Sequence, residues 1–131
     1  SGLASGAFDV VHLSHLIEHV PDPRAFLAEA ARVTRTGGHL VMVTPDIDGF
    51  QSRLFGKRWR SAIADHLHLF SYRVLRRLVE ESGFEVVKKR SWGGIAAGMA
   101  PQWLKRTADT WAKRLNAGDV MILLARRLDR S

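Results

Sequence analysis

The chain has 131 residues, enough for one domain with its own hydrophobic core and too few for two. With 46% hydrophobic and 25% charged residues, its composition excludes an intrinsically disordered chain, and no apolar run approaches the roughly 18 residues of a membrane span. It contains no cysteine, which excludes disulfides and thiolate chemistry and fits a cytoplasmic protein without a signal peptide. We therefore expect a single domain over residues 1–131, in which residues 1–7 form a disordered leader.

The charge of the chain is strongly basic. Twenty Lys and Arg residues against 13 Asp and Glu give a net charge of +7, and much of the excess lies after residue 50. Such a balance favours an acidic partner, which would be an anionic lipid surface, a phosphorylated substrate or nucleic acid. The plain alternative is a solvated basic surface that binds no such partner.

The first third of the chain carries the pattern of a β-α-β unit. Phe8–Leu13 (FDVVHL) and His39–Thr44 (HLVMVT) are apolar, β-branched runs typical of buried strands. Between them, Asp22 as N-cap starts a helix that runs from Pro23 to about Thr34, and a glycine pair at 37–38 is expected to form its left-handed C-cap. Strand, crossover helix and strand in this order predict two parallel strands joined by a right-handed connection.

The later elements follow after a long irregular segment. Ser71 is the expected N-cap of a second helix, Tyr72–Ser82, and a more polar strand near a sheet edge is predicted over Phe84–Lys89. An inserted amphipathic helix is predicted over residues 101–117, and the apolar run Asp119–Arg126 is the last strand.

Taken together, these motifs resemble a known family. FDVV, IEHVPDP, TGGHLVMVTP, HLHLFS and LRRLVEESGFEVV, which span residues 8 to about 90, are similar to the later half of a class I S-adenosylmethionine-dependent methyltransferase, close to the quinone O-methyltransferases. The resemblance implies an α/β fold with an incomplete doubly wound, Rossmann-like and mostly parallel sheet. Its strands would be the fourth to seventh of that fold, with an antiparallel last strand beside the fifth.

The chain departs from the family in its cofactor motifs. The family binds S-adenosylmethionine chiefly with a glycine-rich turn after its first strand and an acidic residue after its second, and this sequence contains no GxGxG. Thr36 also stands where the family usually has proline. We therefore expect the intact parent protein to transfer a methyl group to a small-molecule acceptor, on oxygen, and this isolated chain to be inactive.

The resemblance also assigns candidate site residues. Ser14, His15 and Leu16 would border the cofactor, and His66 is the candidate base that takes a proton from the acceptor. His66 and His68 alternate with leucines, so both imidazoles would lie on one side of an extended segment. The alternatives are a plain loop at Ser14–Leu16 and hydrogen-bonded structural histidines.

His15–His19 (HLIEH) matches the H-x-x-E-H spacing of a zinc protease. That motif requires a long helix, which Pro21 and Pro23 prevent here. Some related methyltransferases hold a divalent cation with an E-x-x-E-H at this place. Here His15 replaces the first acid, which disfavours Mg²⁺ because that ion prefers oxygen ligands. We predict no metal site, with Glu18 and His19 as weak candidates only.

Residues 46–70 form the expected lid-like loop. Within it, Phe50–Arg60 (FQSRLFGKRWR) interleaves aromatic and basic residues. This pattern suits a lid whose Phe50, Phe55 and Trp59, together with His68, line the substrate site. It suits equally an anionic lipid interface and, as the least favoured alternative, stacking on nucleic acid.

A function of a different class is also open. If the first strand lies at a sheet edge, its apolar residues Val10, Val11 and Leu13 would be exposed there, and such an edge pairs readily with another strand. The alternative is therefore a non-catalytic association module that self-pairs through this edge as a homo-oligomer.

Overall fold

The structure, a computed structural model, describes residues 2–47, 68, 70–92 and 120–129. Its elements in chain order are β1 (Phe8–Ser14), a 3-10 turn (Ile17–His19), α1 (Pro23–Val33), β2 (Thr34–Pro45), α2 (Tyr72–Glu81), β3 (Phe84–Trp92) and β4 (Val120–Arg127). No helix in these stretches is long and apolar enough to cross a membrane. The predicted helix over residues 101–117 and most of the predicted loop over 46–70 lie outside the described residues.

The four strands form one sheet in the order β1-β2-β4-β3. β1 and β2 pair in parallel, whereas β4 runs antiparallel to both of its neighbours, β2 and β3. This topology confirms the predicted fold class, including the antiparallel last strand beside the second strand of the β-α-β unit. It also places the carboxyl ends of β1 and β2 at the same edge of the sheet.

The core lies on the face of the sheet that α1 and α2 cover. Alternate residues of each strand point to this face, and fourteen buried side chains of the described residues form one cluster. Its fully buried members include Leu27 of α1, Leu75 of α2 and Leu40 of β2. Burial of each such side chain stabilises the fold by about 1.5–3 kcal/mol relative to exposure.

The same alternation corrects the prediction for the edge strand. Val10 points away from the helices and is 55% exposed, but Val11 is half-buried and Leu13 is buried in the core. The expectation that all three are exposed is therefore wrong for Leu13. Successive side chains of a strand point to opposite faces, so an edge strand exposes its backbone on one side but only alternate side chains.

Both predicted helix starts are confirmed. The Asp22 carboxylate accepts a hydrogen bond from the Ala25 backbone N–H at 3.0 Å, and the Ser71 hydroxyl accepts one from Val74 N–H at 3.4 Å. Each cap satisfies one of the backbone donors that the first turn of a helix leaves without a partner.

The predicted glycine cap at the end of the first helix is wrong. α1 ends at Val33, and Thr34 already belongs to β2. The Thr34 hydroxyl donates to the Ala30 carbonyl at 2.7 Å, so the last turn is satisfied without a glycine. Gly37 and Gly38 lie instead where the pairing of β1 with β2 changes register.

Residues 2–7, expected as a disordered leader, are attached to α1. Arg32 donates to the Leu3 carbonyl at 2.7 Å and to the Ser5 hydroxyl at 2.9 Å. The Gly6 backbone N–H donates to the Arg32 carbonyl at 2.8 Å. These hydrogen bonds hold the segment against the last turn of α1, from where it leads into β1.

Candidate functional site

The candidate site lies at the carboxyl ends of β1 and β2, the edge at which ligands bind in open parallel sheets. The chain leaves β1 through Ser14, His15 and Leu16, all of which are exposed. The His15 backbone N–H donates to the Val43 carbonyl at 2.8 Å, which keeps this exit close to β2. The three residues predicted to border the cofactor therefore lie at the open end of the strand.

His15 has an uncommon backbone conformation. Its φ of +48° lies in the left-handed region, and it is the sole non-glycine residue in the described stretches with a positive φ. The conformation costs about 1–2 kcal/mol for a residue with a Cβ, and such residues occur preferentially at functional sites. The sharp exit leaves the imidazole 52% exposed while its Nδ1 faces the 3-10 turn.

Glu18, in that turn, is a buried carboxylate, 1% exposed. Its Oε2 accepts a hydrogen bond from the Thr44 hydroxyl at 3.0 Å. Its Oε1 lies 3.4 Å from His15 Nδ1 and has no hydrogen-bond partner in the part of the chain that the structure describes. Because a buried charge needs a partner, the exposed imidazole is the group best placed to supply one.

A second buried carboxylate follows β2. Asp46 is 2% exposed and lies with its Oδ2 3.5 Å from Lys89 Nζ. Lys89 also lies 4.7 Å from the centre of the Tyr72 ring, a cation–π distance. The ammonium group thus balances Asp46, whereas Glu18 has no cation of this kind beside it among the described residues.

Sequence reasoning missed Thr44, Asp46 and Lys89 as parts of this site. Thr44 and Asp46 had a usable signal, because polar residues at the carboxyl end of a buried parallel strand lie at the edge of the sheet where ligands bind. Lys89 had none, since β3 is separated from β2 by β4 in the sheet.

Of the predicted lid residues, the structure describes His68. It is half-buried, its backbone N–H donates to the Glu18 carbonyl at 3.0 Å, and its ring centre lies 6.0 Å from that of Phe70. The structure therefore brings His68 to the turn that carries Glu18. The other predicted substrate and base residues, Phe50, Phe55, Trp59 and His66, lie outside the described residues.

The weak metal candidates do not gain support from the geometry. His19 is exposed and Glu18 is buried, and no group of three or more His, Asp or Glu side chains suited to a metal ion occurs among the residues described.

The sequence itself matches a family. Residues 4–89, about two thirds of the chain, match the family described as "Methyltransferase domain". The chain belongs to this family. The match includes the candidate site at the ends of β1 and β2, together with α1 and α2.

Two curated proteins share shorter stretches with this methyltransferase domain. An uncharacterised 37.1 kDa protein in transposon Tn4556 of Streptomyces fradiae is 48% identical over 46 residues, which are 35% of this chain and 13% of that protein. The ubiquinone biosynthesis O-methyltransferase of Cronobacter sakazakii is 42% identical over 40 residues, 30% of this chain and 16% of the enzyme.

The fold is shared with solved methyltransferases. A S-adenosylmethionine-dependent methyltransferase from Thermotoga maritima, described as a possible histamine N-methyltransferase, superposes with a TM-score of 0.74 at 20% identity. The comparison covers 97% of this chain and 59% of that one. This chain thus spans less than two thirds of the length of each of these three relatives.

The family match and the shared fold make this chain part of a class I methyltransferase domain, and the solved Thermotoga maritima protein with this fold is described as S-adenosylmethionine-dependent. The residues at the end of β1 fit part of S-adenosylmethionine. Ser14, His15 and Leu16 are exposed there, and the buried Glu18 carboxylate lies next to His15, with no hydrogen bond to its Oε1 among the described residues. The glycine-rich turn that the family uses does not occur in these 131 residues.

Proposed function

We propose that this chain forms one side of the active site of a methyltransferase that transfers a methyl group from S-adenosylmethionine to an oxygen of a small molecule. The observation that carries the proposal is the open end of β1, where Ser14, His15 and Leu16 are exposed and His15 Nδ1 lies 3.4 Å from an oxygen of the buried Glu18 carboxylate. The identity shared with an enzyme named as an O-methyltransferase supports oxygen as the accepting atom.

In this proposal Ser14, His15 and Leu16 contact the methionine part of the cofactor, and the segment over 46–70 covers the acceptor. Methyl transfer is an in-line displacement, so the protein contributes mainly by positioning its two reactants and by accepting one proton. His66 is a candidate for that last role, and Phe50, Phe55, Trp59 and His68 are candidates for the acceptor site.

The experiment is a methyl-transfer assay on the complete gene product that carries these residues. The enzyme is incubated with S-adenosylmethionine and a panel of phenols, alcohols and amines, and mass spectrometry identifies the methylated atom. Methylation of oxygen acceptors supports the proposal. Methylation of amines alone, or of nothing in the panel, contradicts it.

The isolated 131-residue chain is proposed to be inactive, because it contains no glycine-rich turn for the cofactor. Titration of S-adenosylmethionine into the purified chain by calorimetry tests this part separately. We expect no saturable heat, and a saturable isotherm would show that the chain binds the cofactor by itself.

The exposed edge of β1 favours a second candidate, a non-catalytic module that self-associates. Val10 and Phe8 are exposed on this strand and, with Leu3, line an apolar groove of about 240 Å³. Within the described residues β1 pairs with β2 alone, so its outer backbone edge is open to a further strand.

The proposed occupant of this edge is a second copy of the chain. Asp9 and Arg35 form an exposed ion pair beside the groove, so each copy presents both signs of charge to a two-fold partner. Sedimentation equilibrium over micromolar concentrations tests this candidate with a Val10→Lys variant. A dimer that Val10→Lys dissociates supports it, and a monomer at every concentration rules it out.

Two further parts of the proposal concern binding to a lipid surface and the location of the protein in the cell. The basic aromatic segment Phe50–Arg60 is proposed to contact anionic lipid, which co-sedimentation with phosphatidylserine vesicles and neutral vesicles tests. Equal binding to both vesicles would contradict an electrostatic contact. A cytoplasmic location, expected from the lack of cysteine, is tested by cell fractionation.

A further inference from the structure

We infer that His15 is the catalytic base of the reaction and that Glu18 is its positioning residue. The inference rests on the proposed function and deepens it, because it assigns the proton of the acceptor to a residue other than the histidine that the sequence suggested. It starts from the 3.4 Å that separates His15 Nδ1 from Glu18 Oε1.

The two partners are arranged as a carboxylate–imidazole pair. Glu18 is held on its other side by the Thr44 hydroxyl at 3.0 Å, so its Oε1 is fixed in direction and has no competing hydrogen bond among the described residues. A neutral imidazole with a proton on Nδ1 can donate to this oxygen. Its Nε2 then carries the free lone pair.

The separation of 3.4 Å is slightly longer than the usual 2.7–3.2 Å of an N–H···O bond, and the imidazole is half exposed. Catalytic hydrogen bonds are often long in a free enzyme and shorten when the substrate binds. The burial of Glu18 and the exposure of His15 give the pair a fixed end and an accessible end.

The backbone supports the same assignment. The left-handed φ of +48° at His15 comes directly after β1, and the His15 N–H bond to Val43 keeps this residue at the carboxyl end of the sheet. A strained conformation of a residue with a Cβ persists only where surrounding contacts hold it. Here it places the imidazole beside Glu18 and at the open edge.

The proposed step balances as follows. When bound, S-adenosylmethionine supplies the methyl group, and its carbon–sulfur bond breaks with the electron pair staying on sulfur. The acceptor oxygen forms the new carbon–oxygen bond, and its proton passes to His15 Nε2. Glu18 stabilises the imidazolium that results, and the exposed ring then releases the proton to water.

The pair itself is tested by NMR on the purified chain. Long-range ¹H–¹⁵N correlation distinguishes a protonated ring nitrogen from a bare one, and a His15→Gln variant identifies the His15 signals. We expect neutral His15 to be protonated on Nδ1. We expect Glu18→Met to abolish this preference, and Glu85→Gln, which changes an exposed carboxylate on β3, to leave it unchanged.

Protonation of His15 on Nε2 in the unsubstituted chain would overturn the inference, as would an Nδ1 proton that Glu18→Met leaves in place. Glu18→Met removes the buried carboxylate and leaves its partner His15 half exposed to water, so no buried charge is left without a partner and the variant is expected to fold. If Glu18→Met does not fold, the position of the His15 proton in the unsubstituted chain alone decides whether the inference holds.

The base role is tested with the complete gene product on catechol and 4-nitrocatechol. His15→Gln is expected to lower kcat on catechol by about 10²–10⁴-fold with little change in KM, and much less on the acidic nitrocatechol, which loses its proton without a base. Equal losses on both acceptors, or no loss, would overturn the base role. If the unsubstituted enzyme methylates neither catechol nor any acceptor in the assay under "Proposed function", the proposed function is overturned. The NMR result would still show whether His15 and Glu18 form a hydrogen-bonded pair.

Discussion

Replacement of Thr44 by valine isolates the hydrogen bond that holds Glu18. Valine keeps the volume of threonine and removes the hydroxyl, which is the donor to Glu18 Oε2 at 3.0 Å. Both residues are 1% exposed, so water does not replace the lost bond. A hydrogen bond to a charged group contributes about 1.5–3 kcal/mol, and we expect Thr44→Val to lower the free energy of unfolding by about 2–3 kcal/mol.

The expected cost of Thr44→Val depends on the charge of Glu18, and a double-mutant cycle measures how much of that cost is due to the charge. In a Glu18→Gln background the same hydroxyl bonds to a neutral amide, and Thr44→Val should then cost about 1 kcal/mol. The coupling free energy expected from the cycle is therefore about 1–2 kcal/mol.

Urea unfolding followed by circular dichroism measures all four proteins, with unchanged m-values as the sign that the compact state is retained. Thr36→Val is the matched control, because Thr36 is exposed, and we expect a change within about 0.5 kcal/mol. Equal costs of Thr44→Val in both backgrounds would refute the view that the hydroxyl stabilises an ionised carboxylate.

Three further predictions concern β1, β2 and the loop. A Cβ on Gly38 would lie 2.8 Å from the Asp9 carbonyl, so Gly38→Ala should lower the free energy of unfolding by about 1–3 kcal/mol. The control Gly2→Ala, which has open space around it, should leave that free energy unchanged. Equal urea midpoints of the two variants would contradict this prediction. The hydrogen bond and charge of Arg35 lower the pKa of Asp9, so the stabilisation is present at neutral pH and disappears as the pH falls through that lowered pKa. Arg35→Gln should raise the Asp9 pKa towards its ordinary value in an NMR titration, and an unmoved pKa would contradict the pairing. Since His15 is inferred to be the base, His66→Ala in the complete gene product should leave kcat on catechol nearly unchanged, and a loss of about 10²–10⁴-fold would return that role to His66.

The elements that sequence predicted well are those whose signals are local. Asp22 and Ser71 precede their helices directly, and their side chains cap them as expected. The parallel unit followed from two apolar runs around one helix. The place of β4 beside β2 did not follow from any local pattern, and the family resemblance supplied it; the pairing of β4 with β3 was not predicted.

What sequence could not predict depends on contacts between distant segments. The glycine pair at 37–38 looked like a helix cap, but its role is set by β1, because the Asp9 carbonyl approaches too closely for a side chain at Gly38. The ion pair between Asp46 and Lys89 likewise joins the end of β2 to β3, which are not neighbours in the sheet.

The H-x-x-E-H spacing shows why a motif does not carry its chemistry without its backbone. On a regular helix, two histidines four residues apart share one face. Here the 3-10 turn begins at Ile17, and His15 precedes it with a left-handed φ. The imidazole of His15 therefore faces Glu18, three residues on, and the carboxylate is already bonded to Thr44 on its other oxygen. A carboxylate fixed in this way is suited to orienting one imidazole, which is the arrangement that a general base requires.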